Sequence, residues 1–388
     1  MIIAIDAMAL GTGRGGDETY TRGLLAGLAE VVPDDGPDLF PLLVRPGSDP
    51  PPSLANRSAF PVVRVPGRSS TVRHAITVRR LVSAFRPGVD LLHSLIHAPP
   101  WPPVPIALYL PDIAHARVPE LYSLSARIRL CTLVPLHVRQ ARVILTLSEY
   151  SRRDIIDAHG VNPDAVFVVP CAVTVSGGCR RDESMGDGGE QTTDFENWLQ
   201  TKGIHGPFFL YLGNLHPLKN VVRIIQAFVR AGRVMPALAE HQLVVAGSRW
   251  WGAGAEERAA RDAAPGSVVF LGRVTDPERD GLLRRAVALV YPSLYEGFGL
   301  PPVEAMAVGT PVLASNVTSL PEILGDAALL VDPHDVDAIA GGIVKLATNP
   351  AMRQELGDKG LRRVARYTPR ATAERALEAF QWALRNHR

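Results

Sequence analysis

The sequence predicts an α/β protein made of two doubly wound parallel-sheet domains, and three observations carry that expectation. The chain has 388 residues, too many for one ordinary hydrophobic core and suited to two domains of middling size. Short apolar or β-branched runs alternate with amphipathic helical segments from end to end, the pattern of strand, crossover helix and parallel strand. The rhythm restarts after residues 174–198, a stretch rich in Gly, Ser and charge and poor in apolar side chains.

Taken in order, MIIAIDA reads as the first buried strand and ETYTRGLLAGLAEVV as the helix after it. LFPLLVR, FPVVRVP, DLLHSL and PIALYL continue the first sheet, giving a domain over residues 1–173. Residues 174–202 read as a linker or flexible insertion, because so few apolar side chains cannot offset the entropy of ordering them. FFLYLGNL opens a second domain over 203–366, continued by NVVRIIQAFVRAG, QLVVAGS, SVVFLGRV, ALVYPS, TPVLAS and AALLVDP. The tail, 367–388, places Ala373, Leu377, Phe380 and Leu384 at helical spacing and is expected to pack back on the first domain. Two open sheets of this kind are expected to face one another across a cleft, with the ligand outside the carboxyl ends of their strands.

Composition narrows the function classes. With 46% hydrophobic and 21% charged residues and a formal net charge of +2, the chain reads as an ordered protein with no basic excess calling for nucleic acid. Three cysteines, Cys131, Cys171 and Cys179, lack metal or redox spacing and fit a reducing compartment. MIIAIDAMALGTG carries no charged leader, and no stretch approaches the roughly 18–20 apolar residues of a membrane span. The expected location is cytoplasmic, with peripheral contact at the inner membrane surface left open for a lipid-linked acceptor.

The most informative stretch is SLYEGFGLPPVEAMAVGTPVLAS, residues 293–315, where Glu296 and Glu304 frame a loop of Gly, Pro and apolar residues. It follows the buried strand ALVYPS and enters a helix near Pro301, where proline is tolerated because that N–H has no intrahelical partner. The amides of Phe298, Gly299 and Leu300 lie at the helix start, a favourable place for phosphate or sugar hydroxyls. Gly297 and Gly299 allow close backbone approach. The two carboxylates, one before the helix and one about a turn inside it, suit the hydrogen-bond donors of vicinal hydroxyls. Together they predict a polyhydroxylated, phosphate-bearing ligand.

The segment E-G-F-G-L-P-P-V-E is an E-x7-E signature, and with its continuation to DAALLVDP it closely resembles the retaining glycosyltransferases of family 4, which have the two-domain GT-B fold. GRGGDETYTRGLL resembles that family's acceptor-side glycine loop, VILTLSEYSRRDI its V-S-x-x-S-x-x-D segment, and YLGNLHPLKNVVRIIQAF its Y-V-G-T-L-E-P-R-K-N region. The resemblance implies transfer of a sugar from a GDP-, UDP- or dTDP-linked donor with retention of configuration. It implies that Glu304 holds the donor ribose, Glu296 a sugar hydroxyl, and the backbone of Gly297, Phe298, Gly299 and Leu300 the sugar and phosphates. Lys219 would neutralise the leaving diphosphate, with Gly213 and Asn214 beside it, and the backbone at Arg273 and Val274 would read the base. Gly15 and Gly16 would lie on the phosphate side of the glycine loop. A Lys and a helix start at the diphosphate stabilise the charge that develops, so no divalent metal is required. The segment SNVTSLPE leans toward members that use mannose.

Several positions depart from the family pattern. Pro111 stands where the His of a His-Asp pair is usual, leaving Asp112, with His115 three positions on as a substitute. Asn214 and Leu218 occupy places where family variants carry Arg, leaving Lys219 as the cation unless Arg14, Arg249 or Arg273 contributes. These departures keep a second reading alongside the enzyme: a non-catalytic GT-B protein that binds nucleotide or sugar, or scaffolds an active transferase. Other features carry two readings each. GTGRGG satisfies G-x-G-x-x-G, yet its offset from the strand end favours a turn whose amides face phosphate over a dinucleotide site. Asp335 and Asp337 form a D-x-D that reads first as a helix cap. His93 and His97 read equally as acceptor-side or structural, and Trp101, Trp250 and Trp251 as sugar platforms or loop packing.

Overall fold

The computed structural model describes residues 1–13, 15–66, 73–173, 189–249 and 254–386. The chain divides into two compact units, Met1–Val173 with Arg366–Arg388, and Thr174–Ala365. Each is an open parallel sheet with helices, so both are Rossmann-like, as the alternation of strand and helix predicts.

The first unit has seven strands: β1 (Ile3–Asp6), β2 (Leu42–Val44), β3 (Val62–Arg64), β4 (Leu91–Leu95), β5 (Ile106–Tyr109), β6 (Ala141–Thr146) and β7 (Val166–Val168). Their order is β3-β2-β1-β4-β5-β6-β7, with every pair parallel. β1, β2 and β5 are buried throughout, as expected for strands covered on both faces. The order reverses between β1 and β4, which makes that edge the first unit's switch point.

The helix Gly15–Val31 packs on this sheet through Tyr20, Leu24 and Leu28, spaced one turn apart. The terminal helix Pro369–Arg385 belongs to the same unit, capped by Thr368, with the Thr372 hydroxyl donating to the Pro170 carbonyl at 2.8 Å. Its buried stripe is Ala373, Ala376, Ala379, Phe380 and Ala383, while Leu377 and Leu384 are only half-buried, so the expected face is rotated toward the alanines. Small residues win because the two helices approach closely: a Cβ on Gly27 would stand 1.9 Å from the Pro369 carbonyl oxygen and 2.8 Å from the Ala373 Cβ. Gly27→Ala is therefore expected to destabilise the first unit by about 1–3 kcal/mol, measured as a lower urea midpoint with faster amide exchange in 369–385.

The second unit has six strands: β8 (Phe208–Leu212), β9 (Gln242–Ala246), β10 (Val268–Gly272), β11 (Ala288–Tyr291), β12 (Val312–Ser315) and β13 (Leu329–Val331). They are all parallel in the order β10-β9-β8-β11-β12-β13, and the order reverses between β8 and β11. The helix Val221–Val234 buries Val221, Ile224, Ile225 and Phe228 at helical spacing. Asp335 caps the helix Val336–Thr348, accepting from the amides of Asp337 and Ala338 at 2.8 and 3.1 Å, which is the capping role for the D-x-D.

The expected linker at 174–202 needs correction in its second half. Gly189–Thr201 is a helix, because Phe195, Trp198 and Leu199 fall at i, i+3 and i+4 and give this polar segment an apolar face. Phe195 stacks on Trp198 with ring centres 5.3 Å apart, Leu199 is buried, and a Cβ on Gly281 would stand 2.5 Å from the Phe195 ring. Residues 174–188, with Cys179, lie outside the described residues. No helix among the described residues is long and apolar enough to cross a membrane.

Candidate active site

The site is built where the second sheet reverses its strand order, from the two segments that leave β8 and β11. After β8 the chain passes Gly213 at φ 143° and an exposed Asn214. Gly247, leaving β9 at φ 154°, crosses so close that a Cβ there would stand 1.8 Å from the Gly213 carbonyl oxygen. Only glycine fits that crossing.

Next comes the turn Pro217–Lys219, capped by His216, whose Nδ1 accepts from the Leu218 amide at 3.1 Å. Asn220 then adopts a left-handed conformation, φ 62°, and its Nδ2 donates to the carbonyls of Pro292 at 2.9 Å and Pro333 at 2.7 Å. The Leu294 amide donates to the Leu218 carbonyl at 2.8 Å. These bonds fasten the turn after β8 to the loop after β11, and so set Lys219 against Glu296.

Lys219 Nζ lies 2.5 Å from Glu296 Oε1 and 5.6 Å from the centre of the Tyr291 ring. Glu296 is buried, and its backbone is fixed from β12's exit: its amide donates to Thr318 Oγ at 3.2 Å and its carbonyl accepts from Ser319 Oγ at 2.9 Å. Thr318 holds φ 58°, a conformation a Thr rarely adopts unless its surroundings impose it. Gly297 and Phe298 are buried, and Gly299 at φ 88° caps the helix Leu300–Ala307 so tightly that a Cβ would stand 2.4 Å from Leu320.

Glu304, a turn into that helix, is 7% exposed. Burial pushes its pKa up and Arg279, 3.5 Å away, pulls it down, the net shift being upward. Burial also raises the phenol pKa values of Tyr211 and Tyr291, which stack at 6.0 Å beneath the site and stay neutral. His216 is held neutral in the same way: burial first, then the Lys219 charge, bring its pKa to about 4. The centre thus offers an ammonium, two buried carboxylates and a glycine-led helix start, with neutral rings behind them.

Arg273 and Val274 lie in the loop between β10 and the helix Asp276–Arg285, beside Gly272, whose carbonyl accepts from the Gly247 amide at 2.7 Å. They share the carboxyl edge of the sheet with Gly213, though Arg273 is exposed. Arg249 is engaged with Glu257 at 2.5 Å. Arg14, Trp250 and Trp251 lie outside the described residues.

The remaining expected site residues belong to the first unit. Asp112 follows β5 and accepts from the Ala114 amide at 2.9 Å. His115 is buried three residues on, its pKa lowered by burial and then by the charge of His159. Gly15 and Gly16 open the helix Gly15–Val31, and where a Cβ on Gly15 would stand there is open space. In the glycine loop, the amides of Gly11 and Gly13 donate to the Glu18 carboxylate at 3.0 and 2.7 Å. The expectation that those amides face phosphate is corrected accordingly: an internal carboxylate already takes them. His93 is structural, fully buried with its Nε2 3.0 Å from the Tyr20 hydroxyl. His97 sits half-buried with its ring centre 6.0 Å from that of His137. Trp101 is 75% exposed, so loop packing does not account for it.

Sequence reasoning missed Arg279, His216, Asn220 and the Thr318–Ser319 pair. Asn220 had a signal, since Asn is among the few residues that tolerate a left-handed turn before a helix. Arg279 had none beyond its neighbour Asp280, because its partner is distant in sequence.

Residues 194–363 match the family described as Glycosyl transferases group 1. The O-antigen chain mannosyltransferase B of Escherichia coli is 33% identical over 246 residues, 62% of this chain and 61% of the relative. The MMP alpha-(1->4)-mannosyltransferase of Mycolicibacterium hassiacum is 31% identical over 249 residues, 63% of this chain and 52% of the relative. The chain thus spans between half and two thirds of the length of these relatives. Among solved structures, HepE of Anabaena in complex with UDP and glucose superposes with a TM-score of 0.71 at 17% identity, over 98% of this chain and 100% of that one. The fold class is GT-B, the architecture expected from the sequence.

Proposed function

We propose that the protein is a retaining, metal-independent glycosyltransferase of the family 4 kind that transfers mannose from a GDP-, UDP- or dTDP-linked donor to a saccharide, glycolipid or natural-product acceptor. The observation that carries this reading is the Lys219–Glu296 pair at the switch point of the second sheet, 2.5 Å apart. Lys219 supplies positive charge to the departing diphosphate, and the helix start at Leu300 adds its dipole. Glu296 accepts from a sugar hydroxyl, Glu304 from the ribose, and the Arg273–Val274 backbone meets the base. As the glycosidic bond breaks, the sugar becomes cationic beside an anionic leaving group, and preorganised charges stabilise that state over the bound donor. The names of the mannosyltransferase relatives support the sugar, and the UDP bound by HepE supports a nucleotide-linked donor. Retention and metal independence rest on the resemblance of the E-x7-E segment. Peripheral contact with an anionic membrane belongs to the same reading, supported by exposed Leu124, Ile128 and Leu136 among Arg127, Arg129 and Arg139 on the helix Leu124–Gln140.

The second reading, a binding scaffold, is favoured by one observation: Pro111 stands where the family's His would be, and His115 is buried beside His159 instead. Donor hydrolysis separates the two. The enzyme releases mannose slowly from its nucleotide-linked donor, and Glu296→Ala abolishes the release. A folded protein that binds the nucleotide but frees no sugar is the scaffold.

A further inference from the structure

We propose that Arg279 is a positioning residue of the donor site, braced by Asp280 so that it holds Glu304 as an oriented carboxylate for a vicinal diol. The proposal rests on the reading that Glu304 takes the donor ribose. Three carboxylates surround one guanidinium. Arg279 Nε donates to Asp280 Oδ1 at 2.8 Å and Nη2 lies 2.7 Å from the same oxygen, so one edge of the fork is clamped. Nη1 is left to face Glu304 Oε1 at 3.5 Å and Asp276 Oδ1 at 3.3 Å. Asp280 and Glu304 are both buried. A planar guanidinium held along one edge cannot turn freely, which fixes the direction of its remaining N–H groups.

The arrangement matters for ligand chemistry. An ionised carboxylate accepts two hydroxyl protons with its two oxygens, whereas the protonated acid loses acceptor capacity and carries a donor of its own. Burial favours the protonated acid at Glu304, and Asp280 and Asp276 push the same way; Arg279 alone opposes them. From the other elements packed on Glu304, β11 brings Tyr291, which stays neutral, β12 is Val-Leu-Ala-Ser, and the helix Pro350–Val364 meets the Leu300–Ala307 helix where Gly360 packs on Met306. A bound nucleoside would exclude further water and strengthen the demand for the cation. Arg279 also ties the ribose carboxylate to the helix that follows the Arg273–Val274 loop, so base and ribose contacts share one support.

The test uses Arg279→Met and Arg279→Lys in the full chain, with two readouts. In the free protein, the infrared band of the Glu304 carboxylic acid, identified by its loss in Glu304→Gln, is followed against pH. Its midpoint is expected to rise by about one unit or more in Arg279→Met, the scale of removing one nearby opposite charge, and to stay near wild type in Arg279→Lys. Calorimetric affinity for GDP, UDP and dTDP is then expected to fall about tenfold per unit of that shift on the acid side, and to recover as pH rises. An unmoved midpoint, or an affinity loss that pH does not reverse, overturns the positioning role while leaving wild-type donor binding intact. A folded wild-type protein that binds no nucleotide at any pH overturns the donor-site reading and this role with it.

Discussion

Lys219→Ala is expected to lower sugar transfer from the nucleotide-linked donor by about 10²–10³-fold, the scale of removing one preorganised charge from a developing anion. On the proposed mechanism the effect falls in the chemical step more than in donor binding, because the diphosphate would gain charge as the glycosidic bond breaks and Lys219 would meet that change. Before donor binds, the ammonium is neutralised by Glu296 at 2.5 Å and leans over the Tyr291 ring. Removing it leaves a buried carboxylate without its cation, so part of the loss belongs to Glu296. The double variant Lys219→Ala/Glu296→Ala is accordingly expected to cost much less than the product of the two single effects, since groups that act as one unit are not additive. Single-turnover transfer with the four proteins measures this, with circular dichroism to show that each is folded. Independent, multiplicative effects would mean that the contact is a surface ion pair of little consequence.

The second large effect is acid sensitivity of the first unit, centred on His93. The ring lies in the middle of the sheet with no exposure, its Nδ1 has no hydrogen-bond partner, and Phe380 of the terminal helix meets it edge-on at 5.5 Å. Burial lowers its pKa from 6.5 to about 4, only partly opposed by the Asp6 charge. Between those two values the unfolded chain binds a proton that the folded chain refuses, so stability falls as pH falls from about 6.5 toward 4. The expected loss is about 2–3 kcal/mol by pH ~4.5. His93→Gln keeps a polar partner for the Tyr20 hydroxyl but does not titrate, and should remove that slope. Hydrogen exchange of the β4 and β5 amides at pH ~7 and ~4.5 reports on this unit alone, which suits a chain with two cooperative parts. Equal slopes in wild type and variant would locate the acid sensitivity at another group of the same unit, His115 being the next candidate because burial lowers its pKa as well.

The fold was legible because its signal is periodic. Buried parallel strands appear as short apolar runs, and helices as stripes at one-turn spacing, so the two-sheet plan could be read directly from the chain. Residues 189–201 escaped because their apolar face is three side chains in a polar segment, and they order against Gly281, a residue distant in sequence. The terminal helix keeps Ala373 and Phe380 of the expected stripe, but Leu377 and Leu384 give way to Ala376, Ala379 and Ala383, because a helix that approaches another as closely as Ala373 approaches Gly27 favours small side chains over large ones.

The site shows the same division. Glu296, Glu304 and Lys219 stand in segments whose spacing carries chemistry, and the structure joins Lys219 to Glu296 across 77 residues of sequence. Arg279 was invisible because its value lies in a distance of 3.5 Å to a side chain on another helix. The amides of Gly11 and Gly13 looked available for phosphate because nothing in the spelling of a glycine loop shows that a carboxylate in the following helix already occupies them.

The most direct test of the central claim is calorimetric titration of the wild-type protein and Glu304→Gln with GDP, UDP and dTDP. Saturable binding of one nucleotide by the wild type, weakened at least about tenfold by the loss of a charge-assisted hydrogen bond in the variant, is the predicted result. Binding of none by folded protein, or equal affinity in both proteins, would contradict a donor site at the reversal of the second sheet.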